Sequence, residues 1–158
     1  MSRFEIIEYY GADILKSETF SYAATQTHHK RTDVASHSIN TALVCIALFN
    51  ILRLFHVHVN LAVLVIAALV HDFGILHRET KFSSRHECLH EHPQCSVRML
   101  DEMYPDMDRR VLGAVESHMY PVVKIRPNSI EGWLLSLADK FAAVTDWFRH
   151  YRVGQILN

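Results

Sequence analysis

The chain has 158 residues, 49% of them apolar and 21% charged, which is the balance of one globular domain able to bury a core. Sixteen basic against 17 acidic residues give a formal charge of −1, which argues against a partner held by neutralising the phosphates of a nucleic-acid polymer. The longest uninterrupted apolar run, Leu61–Val70, is too short to cross a bilayer, and Glu5, Glu8 and Asp13 precede any long apolar stretch, unlike a signal peptide.

Glycine and proline are scarce (5 and 4), and the apolar periodicity is helical almost throughout, which predicts an all-α bundle of six or so helices. Residues 3–16 read as a short amphipathic helix. Residues 17–33 are polar and mixed, a loop or a broken helix. Residues 36–56 carry a broad apolar face (Ile39, Leu43, Ile46, Ala47, Phe49). Residues 60–72 are apolar on nearly all sides, which predicts a buried central helix stopped by Gly74. Residues 77–91 are polar and read as a loop. Pro93 then suits the first turn of a helix, with His92 at its cap and Pro105 ending it. A helix over 106–119 follows. Residues 120–127 read as extended. A last helix starts at Asn128, with Glu131 completing a capping box and Leu134, Leu137, Ala138, Phe141, Val144 and Phe148 as its apolar stripe.

Histidine is the unusual count: 12 residues. His37 lies near the start of the second long helix. His71 and Asp72 end the most apolar one. His118 follows an apolar face (Val111, Leu112, Val115), and Asp139 sits inside the last helix in SLADKFAA. Imidazoles and carboxylates at apolar positions need partners, since burying them unpaired costs several kcal/mol. One shared metal ion would satisfy all of them, and a mixed imidazole–carboxylate set suits zinc, manganese, iron or nickel. An HD dipeptide is worthless alone, with roughly 0.6 expected by chance in a chain of this composition. Order and context carry the signal.

The order His37 … His71-Asp72 … Asp139 resembles the H…HD…D signature of the HD-domain metal-dependent phosphohydrolase superfamily. The local contexts SHSINTA, AALVHDFG and LADKFAA are similar to that family's segments. EHPQCSVRML with His92, and the stretch from ESHMYP to SLADK with His118, resemble a subgroup with extra histidines. The resemblance spans about residues 28–148 of a chain read as one domain over 1–158. It implies that His37, His71, Asp72 and Asp139 ligate one divalent ion, that Asp72 bridges to a second, and that His92 and His118 hold that second ion. It implies an activated water that attacks a phosphomonoester or phosphodiester, a nucleotide being one candidate, with Asp72 and Asp139 as the catalytic carboxylates. Where many members carry lysine four residues after the HD histidine, this chain has Ile75. Arg31, Arg78, Lys81 and Lys140 are therefore the candidate phosphate contacts. Related oxygenases hold two irons in the same ligand set, and a metal-bound regulatory module is a third reading.

His86-Glu87-Cys88-Leu89-His90 also fits HExxH, the zinc protease pattern. Its polar surroundings, cut off by Pro93, argue against a sound helix, and His86 and His90 read as loop residues near the cleft. His28, His29, His56, His58, His77 and His150 read as solvated or locally bonded. Cys45 reads as core packing, and Trp133, Phe141, Trp147 and Phe148 as helix-packing residues. Three cysteines without CxxC spacing fit a reducing cytoplasm. The expected partner is a small phosphorylated substrate rather than a membrane or a nucleic-acid polymer, and a homodimer stays open.

Overall fold

Most helices begin at a side chain that accepts one of the amides the first turn leaves free. Ser2 caps α1 (Arg3–Leu15), Ser17 caps α2 (Glu18–Ala23) and Asp33 caps α3 (Val34–Leu54). Asn60 caps α4 (Leu61–Val70), Ser84 caps α6 (Arg85–Met103) and Asp108 caps α7 (Arg109–Ser117). A single turn of 3-10 helix, Phe73–Ile75, and the short α5 (Arg78–Lys81) follow α4; α8 (Ile130–Phe148) is the last described helix. A small antiparallel hairpin, β1 (Thr27–His29) with β2 (Thr32–Asp33), leads directly into α3. The computed structural model describes residues 1–29 and 32–148, and only the backbone of His29, Trp147 and Phe148. Arg31 and His150 therefore lie outside the described residues, as do the side chains of His29, Trp147 and Phe148.

The all-α expectation holds, with eight α-helices and one two-stranded hairpin among the described residues. Helix α4 is the buried centre: Val63, Leu64, Val65 and every residue from Ala67 to Val70 are buried. Helices α1, α3, α7 and α8 pack around it. Helix α3 is long and apolar enough to cross a membrane, a reading missed because polar residues interrupt its apolar runs, but half of the segment is buried in the protein, as in a core helix.

Several expectations are corrected. Helix α6 starts at Arg85 with Ser84 as its cap, not at Pro93 with His92 as its cap, and Pro93 lies inside it. Ser84 Oγ accepts the Glu87 amide at 3.1 Å, and the Glu87 carboxylate accepts from the Ser83 amide at 2.6 Å. Proline mid-helix costs roughly 3 kcal/mol by removing one hydrogen bond and crowding the preceding turn. Here the affected carbonyl belongs to Leu89, a residue 41% exposed on the outer face of the helix. Helix α8 starts one residue later than a cap at Asn128 would place it. Ser129 Oγ accepts the Gly132 amide (3.1 Å), and Glu131 instead accepts the Asn60 amide (2.7 Å), tying the starts of α8 and α4 together. The buried face of α8 is Leu134, Leu135, Ala138 and Ala142, whereas Trp133, Leu137, Phe141 and Val144 are 42–59% exposed. The helix is turned so that Asp139 and Asp146 face α3. Residues 120–123 form turns rather than an extended run, with Tyr120 and Val123 amides bonded to Ser117 and Met119 carbonyls.

Gly74 is not a left-handed helix stop, since no glycine among the described residues has positive φ. Its role is close approach. A Cβ there would strike the His92 carbonyl and sit 2.6 Å from the Ser96 amide. The Gly74 amide donates to Ser96 Oγ (2.8 Å), and that hydroxyl donates to the His71 carbonyl (2.6 Å). This contact sets the His71–Asp72 pair against α6. Gly74→Ala should cost about 1–3 kcal/mol by overpacking and lower the melting temperature. An unchanged melting temperature would show that α6 can shift freely.

Candidate metal centre

His71 and His118 occupy equivalent places, each as the cap residue that ends a helix in αR conformation. There the last carbonyls lack helical donors. His71 Nδ1–H donates to the Ala68 carbonyl at 2.8 Å, and His118 Nδ1–H donates to the Val115 carbonyl at 2.6 Å. In α6, His92 Nδ1–H donates to the Cys88 carbonyl one turn back at 2.8 Å. In α3, His37 Nδ1–H donates to Asp146 Oδ2 at 2.7 Å, and Asn40 holds the other oxygen of that carboxylate at 2.6 Å. All four rings thus have Nδ1 engaged and present Nε2 inward.

Those nitrogens converge on Asp72, which is 2% exposed. Asp72 Oδ1 faces His92 Nε2 at 3.2 Å and His118 Nε2 at 3.5 Å. Asp72 Oδ2 faces His71 Nε2 at 3.3 Å and His37 Nε2 at 3.8 Å. Asp139 Oδ1 lies 3.0 Å from His37 Nε2 and 3.6 Å from His71 Nε2. The structure brings together all six residues singled out from the sequence: His37, His71, Asp72, His92, His118 and Asp139.

Two residues that sequence reasoning passed over join them. His28, read as solvated or locally bonded, instead places Nε2 2.7 Å from Asp72 Oδ2 and stacks on His37 with ring centroids 4.2 Å apart. Its segment has no periodicity to mark it. Asp146 is two turns beyond Asp139 on α8, a spacing that puts both carboxylates on one face and could have been read.

The donor set fits a cation. With Nδ1 donating, each Nε2 carries a lone pair unless a proton is added. His92 and His118 Nε2 atoms face each other at 3.1 Å, and buried His71 Nε2, 3.3 Å from Asp72 Oδ2, makes no well-aligned hydrogen bond among the described residues. Burial alone would lower the His37 pKa, but Asp139, Asp146 and Asp72 outweigh it and raise it to about 9. Burial likewise opposes charge on His71, yet Asp72 and Asp139 raise its pKa to about 10. Burial would raise the two carboxylates, and the surrounding histidines hold both well below the usual range instead. Burial, with His71 and His92 nearby, lowers His118 despite its hydrogen bond to Asp72. Without an ion, two added protons balance two carboxylates; a dication in their place carries the same charge. Among the described residues, the sets His28–His37–Asp72, His37–His71–Asp139 and His71–Asp72–His118 could each hold a metal ion.

The candidate cations are placed as follows. Lys140 Nζ donates to the His118 and Ser136 carbonyls and to Ser136 Oγ at 2.9–3.1 Å, so its donors are engaged within the fold. Arg78 Nη1 donates to the His28 carbonyl at 3.3 Å, and Lys81 Nζ lies 3.3 Å from Met99 Sδ. The HExxH stretch is helical, contrary to expectation, with His86 and His90 ring centroids 4.4 Å apart; the Glu87 carboxylate is held by Ser83. His77 bonds Tyr22 Oη at 2.9 Å, His56 and His58 are exposed, and Cys45 is buried, its thiol pushed up by that burial.

The HD domain family model matches residues 34–144. The chain belongs to the HD domain family. No curated protein and no solved structure matches it. The HD family binds divalent metals, and its members are in general metal-dependent phosphohydrolases. Within this HD domain, His28 and Asp146 lie outside the matched span.

Metal loading should release roughly one to two protons per chain at neutral pH, because His37 and His71 are protonated in the ion-free cluster. Apparent affinity should rise with pH towards 9–10 and fall as the solution is acidified. Calorimetry in buffers of different ionisation enthalpy measures this, and no proton release would contradict it. Asp146→Ala should weaken metal binding by about 10–100-fold by freeing the His37 ring. Chelator competition measures it, and native affinity in the variant would remove Asp146 from the site.

Proposed function

We propose that this HD domain is a metal-dependent phosphohydrolase that cleaves a small phosphomonoester or phosphodiester, with nucleotides among the candidate substrates. The observation that carries the reading is the division of Asp72: one oxygen faces His92 and His118, the other faces His37 and His71. Such a carboxylate suits a bridge between two ions, with Asp139 completing the second set. Bound there, divalent ions would supply a water acidic enough to attack at neutral pH and would polarise a phosphoryl oxygen.

The chain's own groups supply the rest. The Ala68, Cys88 and Val115 carbonyls and the Asp146 carboxylate fix the ring orientations, so the donors are preorganised. The Asp139 side chain is 10% exposed against 2% for Asp72 and faces His37 and His71, from where it would orient the attacking water through ligation or hydrogen bonds. The buried apolar wall of α4 keeps bulk water from the inner side. Of the candidate cations, Lys140 has its donors engaged, whereas Arg78 and Lys81 each make one contact of 3.3 Å and keep further N–H donors for a phosphate.

His71→Ala and Asp72→Ala should each abolish turnover of a generic substrate such as bis-(p-nitrophenyl) phosphate, by at least about a thousandfold, with helix content by circular dichroism retained. Retained turnover in both variants would sink the proposal. Substrate-dependent dioxygen uptake by the iron-loaded protein, without phosphate-ester cleavage, would move it to oxygenase chemistry.

A further inference from the structure

The sequence pattern ascribes four donors to the first ion, and none of them comes from the segment before α3. The hairpin changes that count. His28 Nε2 lies 2.7 Å from Asp72 Oδ2, closer to that oxygen than His71 (3.3 Å) or His37 (3.8 Å). Two donors at right angles around one first-row ion, each at roughly 2.1 Å, stand about 3 Å apart. The separations around Asp72 Oδ2 bracket that figure.

We propose that His28 is itself a ligand of the ion on the Oδ2 side of Asp72, which raises the protein donors there to His28, His37, His71, Asp72 and Asp139. The Oδ1 side keeps only Asp72, His92 and His118. The two sites are therefore unequal. The Oδ2 site is nearly filled by protein and is rich in imidazole, so it holds a first-row transition ion in preference to magnesium or calcium. The Oδ1 site would draw fewer donors from the protein and would leave more of its ion's positions to water or substrate. This inference rests on the metal-centre reading above.

The local structure supports a fixed ring. His28 lies in β1, which pairs with β2, and β2 runs without a break into α3, the helix that carries His37. Asp33 closes that junction: its Oδ1 accepts the Ser36 amide and its Oδ2 accepts Ser36 Oγ, both at 2.7 Å. The His28 ring lies 8° from parallel with the His37 ring. Arg78 donates to the His28 carbonyl from the far side of the HD turn, which makes it a support for the ligand strand. His28 lies on the hairpin before α3, outside the residues the HD family model matches.

The rival role is a hydrogen bond that merely steadies Asp72. A cobalt(II) titration of the full chain, followed by the visible d–d absorption, separates the two. Native protein should bind cobalt in two steps. His28→Ala should lose about tenfold or more in affinity at the tighter step and show a changed band intensity, and added imidazole should restore the spectrum. His28→Gln keeps an amide donor for Asp72 but is a poor ligand, so it should behave like the alanine variant. Native affinity and spectrum in His28→Gln, or an unchanged first step in His28→Ala, would overturn the ligand assignment while leaving the metal centre standing. No cobalt binding by native protein, or native binding by His71→Ala, would overturn the metal centre and this inference with it.

Discussion

One buried carboxylate organises this molecule. Asp72 sits at 2% exposure, where an isolated charge would cost several kcal/mol. Its partners come from five elements: the hairpin supplies His28, α3 His37, the end of α4 His71, α6 His92 and the end of α7 His118, while Asp139 on α8 faces His37 and His71. No one of these groups is placed by its neighbours in sequence alone. Each needs the helix that carries it to be packed against α4 or against the HD turn. The fold and the site are thus one constraint: withdraw the central charge and its counter-charge, and the polar faces of five elements lose their reason to converge.

Helix ends do much of the positioning. A helix that stops has carbonyls without donors, and a histidine at that point closes one of them with Nδ1 while turning Nε2 outwards. Helices α4 and α7 end in this way, at His71 and His118. The same ends aim the negative pole of each helix dipole at the cluster, which favours a cation there. Gly74 and Ser96 complete the arrangement by letting α6 approach the turn that carries Asp72. The ion-free cluster meets this demand with protons, so metal and protons compete for the same lone pairs.

Much of this was legible in the sequence. The all-α fold follows from helical periodicity, and the buried α4 from its unbroken apolar run. The HD family match covers the segments whose order had marked them. The rest escaped for identifiable reasons. Proline inside α6 obeyed the sequence rule for a helix start, so that helix was begun eight residues late. The aromatic residues of α8 looked like its core face, but Asp139 and Asp146 turn the helix so that Phe141 and Leu137 face out. His28 lies in a short irregular hairpin whose placement depends on long-range contacts, and no local pattern encodes those. Asp146 differs: its two-turn spacing from Asp139 was present in the sequence and needed only to be read as a second carboxylate on one face.

The account turns on whether Asp72 is the centre of a two-ion site. Metal content per chain, measured by plasma mass spectrometry on untagged native protein reconstituted with manganese, iron, zinc or nickel and freed of loose ions, tests this most directly. The account predicts close to two first-row transition ions per chain. A chain that retains none with any of these metals would contradict it, and the convergence of histidines on Asp72 would then be a proton-filled structural core.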